Sequence, residues 1–139
     1  MFRLMRRVGL AALLALLCGS APAVAQVADP STAEHANISP GIESWSYLKR
    51  DELSVVRMRI APGASETLHL HRRARLYITM LTGTLTMEVG GKQHVVAQGQ
   101  GVEIAPGTPH RAINAGAAPI DLMVVAMPPS AGDREVVPQ

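Results

Sequence analysis

The sequence predicts an all-β protein, a small single-domain barrel of short antiparallel strands behind a cleavable leader. Three observations carry this. From Trp45 onward the chain is built of runs of Val, Ile, Leu, Met and Thr, four to eight residues long, separated by turns containing glycine or proline. After the leader, no segment offers the roughly 10 to 12 residues of clean 3.6-residue periodicity that a helix needs. The length of 139 residues fits one domain and leaves no room for a second. Short strands at regular spacing suggest a sandwich or barrel, not a parallel α/β sheet, and closure removes the exposed edges such strands would otherwise present.

The first 25 residues read as a secretory signal. Arg3, Arg6 and Arg7 form a basic start and Leu10 to Leu17 an apolar run. Ala23-Val24-Ala25 gives the small-x-small pattern cleaved before Gln26. The apolar run is shorter than the roughly 20 residues of a permanent membrane span, so no stable membrane anchor is expected. Cys18 lacks the small residue before it that lipid attachment wants, because Leu17 stands there. The expected location is the periplasm or the exterior.

Cleavage changes the charge. Of the 13 Lys and Arg, three leave with the leader; 10 then face 11 Asp and Glu, and the net charge moves from +2 to −1. No basic stripe for phosphate contacts remains, and nucleic acid is not an expected partner. Cys18 is the one cysteine, so no disulfide is expected and packing alone holds the exported fold.

Residues 26–44 are polar at first, with two prolines before Gly41, and are expected as a flexible arm that includes a solvated His35. The barrel is expected over 45–127. Leu53 to Ile60 alternates Val56, Met58 and Ile60 against Arg57 and Arg59; Ala61-Pro62-Gly63 ends it. Thr67 to His71, Leu76 to Leu81 and Thr84 to Val89 follow, and Gly90-Gly91 closes a hairpin onto Gln93 to Ala97. Val102 to Ala105 and Ile120 to Ala126 complete the strands, and 128–139 is expected as a loose tail. Trp45, Tyr47 and Tyr77 are the aromatic residues after the leader, so aliphatics and methionines must fill the interior.

His69-Leu70-His71 carries the most chemistry. Residues two apart on a strand share a face, with Cα atoms roughly 6.6–6.8 Å apart, and two such imidazoles can meet one ion at about 2.0–2.1 Å. Alone, this pair is common on surface strands. Gly63, His69, His71 and Gly83, followed by Gly99, Gly107, His110 and Asn114, change its weight. Their spacing resembles the two motifs of the cupins, G-x5-H-x-H-x3,4-E-x6-G and G-x5-P-x-G-x2-H-x3-N, separated here by the 15 residues from Thr84 to Gln98. The resemblance covers roughly 45–127. It implies a jelly-roll, double-stranded β-helix barrel, a metal held by His69, His71 and His110, and a homodimer.

Two positions depart from the motifs. Ala105 replaces a proline that Pro106 then supplies, a local variation. Leu76 stands where the family's glutamate ligand belongs, and the shorter spacing would place Arg75 there. Three neutral imidazoles leave a divalent ion its full +2 charge, which acidifies bound water and favours anionic ligands. The expected cofactor is a divalent transition metal, Fe, Zn, Ni, Cu or Mn. Losing the carboxylate also weakens metal binding, so the alternative is a metal-free pocket for an organic ligand.

The remaining candidates are less pointed. Strand alternation sends Glu66 to the face opposite His69 and His71. His94 and Glu103 either line the pocket or face solvent, and Tyr77 is either a hydrogen-bond donor or packing. Arg57, Arg59, Arg72, Arg73 and Arg75 either select an anion at the mouth or form a solvated, salt-bridged face. Two functions follow: a metal-dependent enzyme acting on a small, anionic molecule, of oxygenase or isomerase/lyase kind, or a non-catalytic binding or sensing module.

Overall fold

The computed structural model describes residues 25–138, so the predicted leader lies outside the described residues apart from Ala25. The described residues form eleven strands: β1 (Glu34–Ser39), β2 (Ile42–Lys49), β3 (Ser54–Ile60), β4 (His69–His71), β5 (Arg75–Thr82), β6 (Thr84–Val89), β7 (Lys92–Ala97), β8 (Gly101–Ile104), β9 (His110–Ile113), β10 (Ile120–Met127) and β11 (Arg134–Val136). They form two antiparallel sheets, a six-stranded one in the order β1-β2-β3-β10-β5-β8 and a five-stranded one in the order β11-β4-β9-β6-β7. The fold is the all-β jelly roll that the strand pattern predicts. Among the described residues no helix is long and apolar enough to cross a membrane.

Alternation explains the core. In β5 the buried residues are Leu76, Ile78 and Met80, and Tyr77 between them is exposed. In β6 Leu85 and Met87 point inward, and in β3 Met58 and Ile60 do. Leu122 of β10 and Ile104 of β8 complete a hydrophobic core of aliphatics and methionines that holds no Phe, Tyr or Trp among the described residues. Such side chains pack as a period-2 pattern demands, one face in and one out.

Gly90 and Gly91 adopt φ of 57° and 80°, which only a two-residue turn of the primed type between Val89 and Lys92 requires. Asn114 ties the two sheets together. It is fully buried, and its amide donates to the carbonyls of Ile60 (3.0 Å) and Ala118 (2.8 Å) while Oδ1 accepts from Gly116 N–H (3.0 Å).

Both terminal segments differ from expectation. Within 26–44, the segment expected as an arm, β1 and the start of β2 are paired into the long sheet. The polar composition of β1 reflects an edge strand exposed on nearly every residue, for which backbone hydrogen bonds rather than burial supply the order. His35 there is exposed, bonded to Glu43 at 3.1 Å and stacked on Trp45 at 5.1 Å between ring centres. In 128–139, β11 pairs antiparallel with β4. The carboxylate of Asp133 fixes that return by accepting from the N–H groups of Arg73 and Ala74, both at 2.9 Å.

Gly83 joins β5 to β6 at φ 82°, and a Cβ there would lie 2.5 Å from Ile120 Cγ2. Gly83→Ala is therefore expected to destabilise the fold by about 2–4 kcal/mol, positive φ and overpacking acting together. Urea denaturation checks this; an unchanged midpoint would contradict it.

Candidate metal centre

His69 and His110 are direct cross-strand partners on β4 and β9, and His71 follows two residues along β4 on the same face. All three are buried, at 3%, 2% and 8% exposure for His69, His110 and His71. Ring centres are 4.4 Å apart for His69–His110, 5.2 Å for His69–His71 and 5.6 Å for His71–His110. One ring nitrogen from each lies within 4.8 Å of the others, so the trio could hold a metal ion. Two nitrogens bound to one ion at about 2.1 Å are at most about 4.2 Å apart, so modest χ rotations close the site.

Local backbone geometry sets the tautomers. His69 Nδ1 donates to the Thr67 carbonyl and His110 Nδ1 to the Thr108 carbonyl, each at 2.8 Å. With Nδ1 protonated, Nε2 carries the free lone pair, as a metal-ligating imidazole requires. His71 Nδ1 is buried without a hydrogen bond, although Asp133 is near enough to favour the charged ring slightly. Burial lowers the proton affinity of all three rings, and for His110 from 6.5 to about 4. Neutral imidazoles with free lone pairs therefore exist at pH 7, and the residues fit a borderline divalent transition-metal ion.

The trio lines a cavity of about 580 Å³ between the sheets. The long sheet supplies an aliphatic wall that includes Val56, Leu76, Ile78, Leu122 and Val124. Leu76, in the place of the family's glutamate, is buried and offers only methyl groups. The turn residues 129–132 and Arg134, carried by the C-terminal return, complete the lining.

Glu66 corrects the expectation from alternation. Residues 66–68 are not in strand conformation, so alternation does not govern them, and the Glu66 side chain lines the cavity. Its Oε2 accepts the N–H of Ala112 at 3.0 Å, and the Glu66 N–H donates to the Ala112 carbonyl at 2.9 Å. The side chain thus takes a backbone donor that a regular ladder would hand to a carbonyl. Burial pushes the Glu66 carboxyl up, partly offset by the Ala112 bond and by the charges of His110 and Arg134.

The other candidates settle outside. His94 and Glu103 are exposed, and Glu103 is paired with Arg75. Tyr77 is 47% exposed and covers Gly101. Arg57 and Arg59 both grip Asp121 on the outer face of the long sheet, at 3.0 and 3.1 Å. Arg72 pairs with Glu135 at 2.6 Å and Arg73 with Asp133 at 3.3 Å. Sequence reasoning turned Glu66 to the wrong side and passed over Arg134, both lying where polar composition gives no strand signal.

Comparison with known proteins agrees with this geometry. The family model described as Cupin domain matches residues 56–126, just over half of the chain. A search of curated proteins finds no match. Among solved structures, a sugar phosphate isomerase from a cupin superfamily of Silicibacter pomeroyi is 19% identical, with TM-score 0.65 over 73% of this chain and 75% of that one. KdgF from Halomonas sp. is 19% identical, with TM-score 0.66 over 72% and 92%. A Streptomyces PAC13 variant with uridine is 14% identical, with TM-score 0.70 over 83% and 92%.

The depressed imidazoles fix the sign of a pH effect. In the unfolded chain they protonate near 6.5, whereas folded His110 does so only near 4. Over that interval the unfolded state binds more protons, so the stability of metal-free protein falls as pH drops from 6.5 toward 4. Glu66 acts in the opposite sense, its contribution being lost as pH rises through its elevated folded value. The difference between wild type and His110→Gln isolates the imidazole: the variant should show a shallower loss in thermal midpoint over this range. Identical slopes would contradict the assignment.

Proposed function

The chain belongs to the cupin family, and on that premise we propose that it is an exported, single-domain cupin. It holds one divalent transition metal on His69, His71 and His110 and acts on a small organic molecule in the adjoining cavity. The observation that carries this reading is the convergence of three buried, neutral imidazoles, two of them locked with Nδ1 on a carbonyl and Nε2 free. The chemistry of the donor set suits Fe(II), Zn, Cu or Ni.

When bound, such an ion keeps its charge uncompensated by a carboxylate and supplies Lewis acidity toward oxygen atoms. The chain's own residues supply the remainder. The aliphatic wall excludes water and packs the carbon skeleton of the substrate. Glu66, anchored by Ala112 and with its carboxyl pushed up by burial, lines the cavity and serves as its acid or base. Comparison proteins named for a sugar phosphate isomerase and for a uridine complex support small-molecule chemistry in this type of barrel.

The leader reading supports export to the periplasm and cleavage after Ala25. A homodimer is the family expectation, and Tyr77, Leu81 and Met127 stand exposed for a second copy to cover. A second reading, a metal-free binding module, is favoured by one observation, Leu76 in the glutamate's place.

The test uses untagged protein recovered from the periplasm. Its intact mass should correspond to a chain beginning at Gln26, and elemental analysis should find close to one metal per chain. His71→Ala should lower metal content more than about tenfold. Folded protein that stays metal-free after exposure to excess Zn, Fe, Ni and Cu would leave the binding-module reading in its place.

A further inference from the structure

We propose that Arg134, with Arg50 at the rim, is the anion-recognising group of the cavity, and that the molecule admitted is a small aliphatic carboxylate. This deepens the reading of the cavity as a substrate site and rests on it, but not on the metal.

The arginine pairing pattern points there. Eight arginines lie among the described residues. Arg57 and Arg59 hold Asp121, Arg72 holds Glu135, Arg73 holds Asp133, Arg75 holds Glu103, and Arg111 holds Glu88. Arg50 and Arg134 make no ion pair among the described residues, and both line the cavity. Arg50 donates to the Lys49 carbonyl at 2.9 Å. Arg134 makes one long bond, from Nη2 to the Thr67 carbonyl at 3.4 Å, which leaves most of its planar fork open.

Position makes Arg134 the principal group. It stands opposite His71 in the β11–β4 pairing, and its charge reaches His69, His71 and Glu66. Glu66 forms no ion pair with it; its carboxylate accepts the Ala112 N–H instead. An incoming carboxylate can take the fork bidentately beside the imidazoles.

The opposite wall defines the rest of the molecule. Ser44, Ser46, Ser54 and Lys49 excepted, the long sheet offers aliphatic side chains to the cavity, and the Lys49 ammonium is already paired with Glu34 at 2.5 Å. Against the aliphatic stretch formed by Val56, Ile78, Leu122 and Val124, a polyol body would leave hydroxyls without partners, whereas an alkyl chain would not. The chemistry therefore favours an aliphatic acid over a sugar phosphate.

Calorimetric titration of the whole protein with hexanoate, hexan-1-ol and glucose 6-phosphate tests this, in chelator-treated and zinc-exposed samples. Hexanoate should bind both samples about 10–100-fold more tightly than hexan-1-ol, and more tightly than glucose 6-phosphate. Arg134→Gln should weaken hexanoate by a similar factor and leave hexan-1-ol unchanged. Arg134→Lys should restore part of the loss, and Arg72→Gln should have no effect. Thermal midpoints confirm that each variant is folded.

Equal affinity for hexanoate and hexan-1-ol overturns the proposal, as does tighter binding of glucose 6-phosphate or wild-type hexanoate affinity in folded Arg134→Gln. If zinc fails to load while hexanoate binding still depends on Arg134, the metal reading fails and this one stands. If zinc loads and hexanoate binding ignores Arg134, the reverse holds.

Discussion

The register between β4 and β9 is the constraint on which the rest of the structure depends. It sets His69 directly opposite His110, and because side chains alternate, a slip by one residue would send His110 out of the cavity. The pairing is reinforced beyond the short strands themselves. Gly63 N–H donates to the Asn114 carbonyl at 2.9 Å, and Asn114 N–H to the Ala64 carbonyl at 3.0 Å. The Asn114 side chain meanwhile reaches the end of β3, so one residue fixes both the register of the short sheet and its seat on the long one. The paired motifs thus encode a geometry: glycines and an asparagine hold the frame in which the histidines meet.

A second consequence is the division of labour between the sheets. The short sheet and the segment leading into it bring imidazoles, Arg134 and Glu66; the long sheet brings mostly methyl and methylene groups, with three serines and Lys49. A molecule between them meets polar chemistry on one side and an apolar wall on the other, a combination that fixes orientation with few polar contacts. Leu76 belongs to the apolar wall. It puts methyl groups where the family's glutamate would stand, and Glu66, on the segment leading into β4, is the acidic side chain lining the cavity.

Much of this was legible in the sequence. The hairpin at Gly90-Gly91, the central strands and the histidine trio follow from period-2 patterning, turn chemistry and motif spacing. What was not legible shares a physical cause. The strand β1 and the return β11 are exposed edges held by backbone bonds, which leave no hydrophobic period to read. Glu66 lies where alternation was assumed over residues that are not strand, so its direction came out reversed. Arg134 was hidden because a polar tail gives no sign that it will fold back over a cavity. Arg57 and Arg59, which the sequence marks more clearly, face outward because they alternate with the buried Met58 and Ile60, and there they share the Asp121 carboxylate of the neighbouring strand.

The most direct test is an anomalous difference map from crystals soaked in zinc or cobalt. The account predicts one strong peak between the sheets, about 2.0–2.2 Å from a nitrogen of each of the three imidazoles. A fully soaked crystal without that peak, or with the ion held by fewer than all three rings, would contradict it.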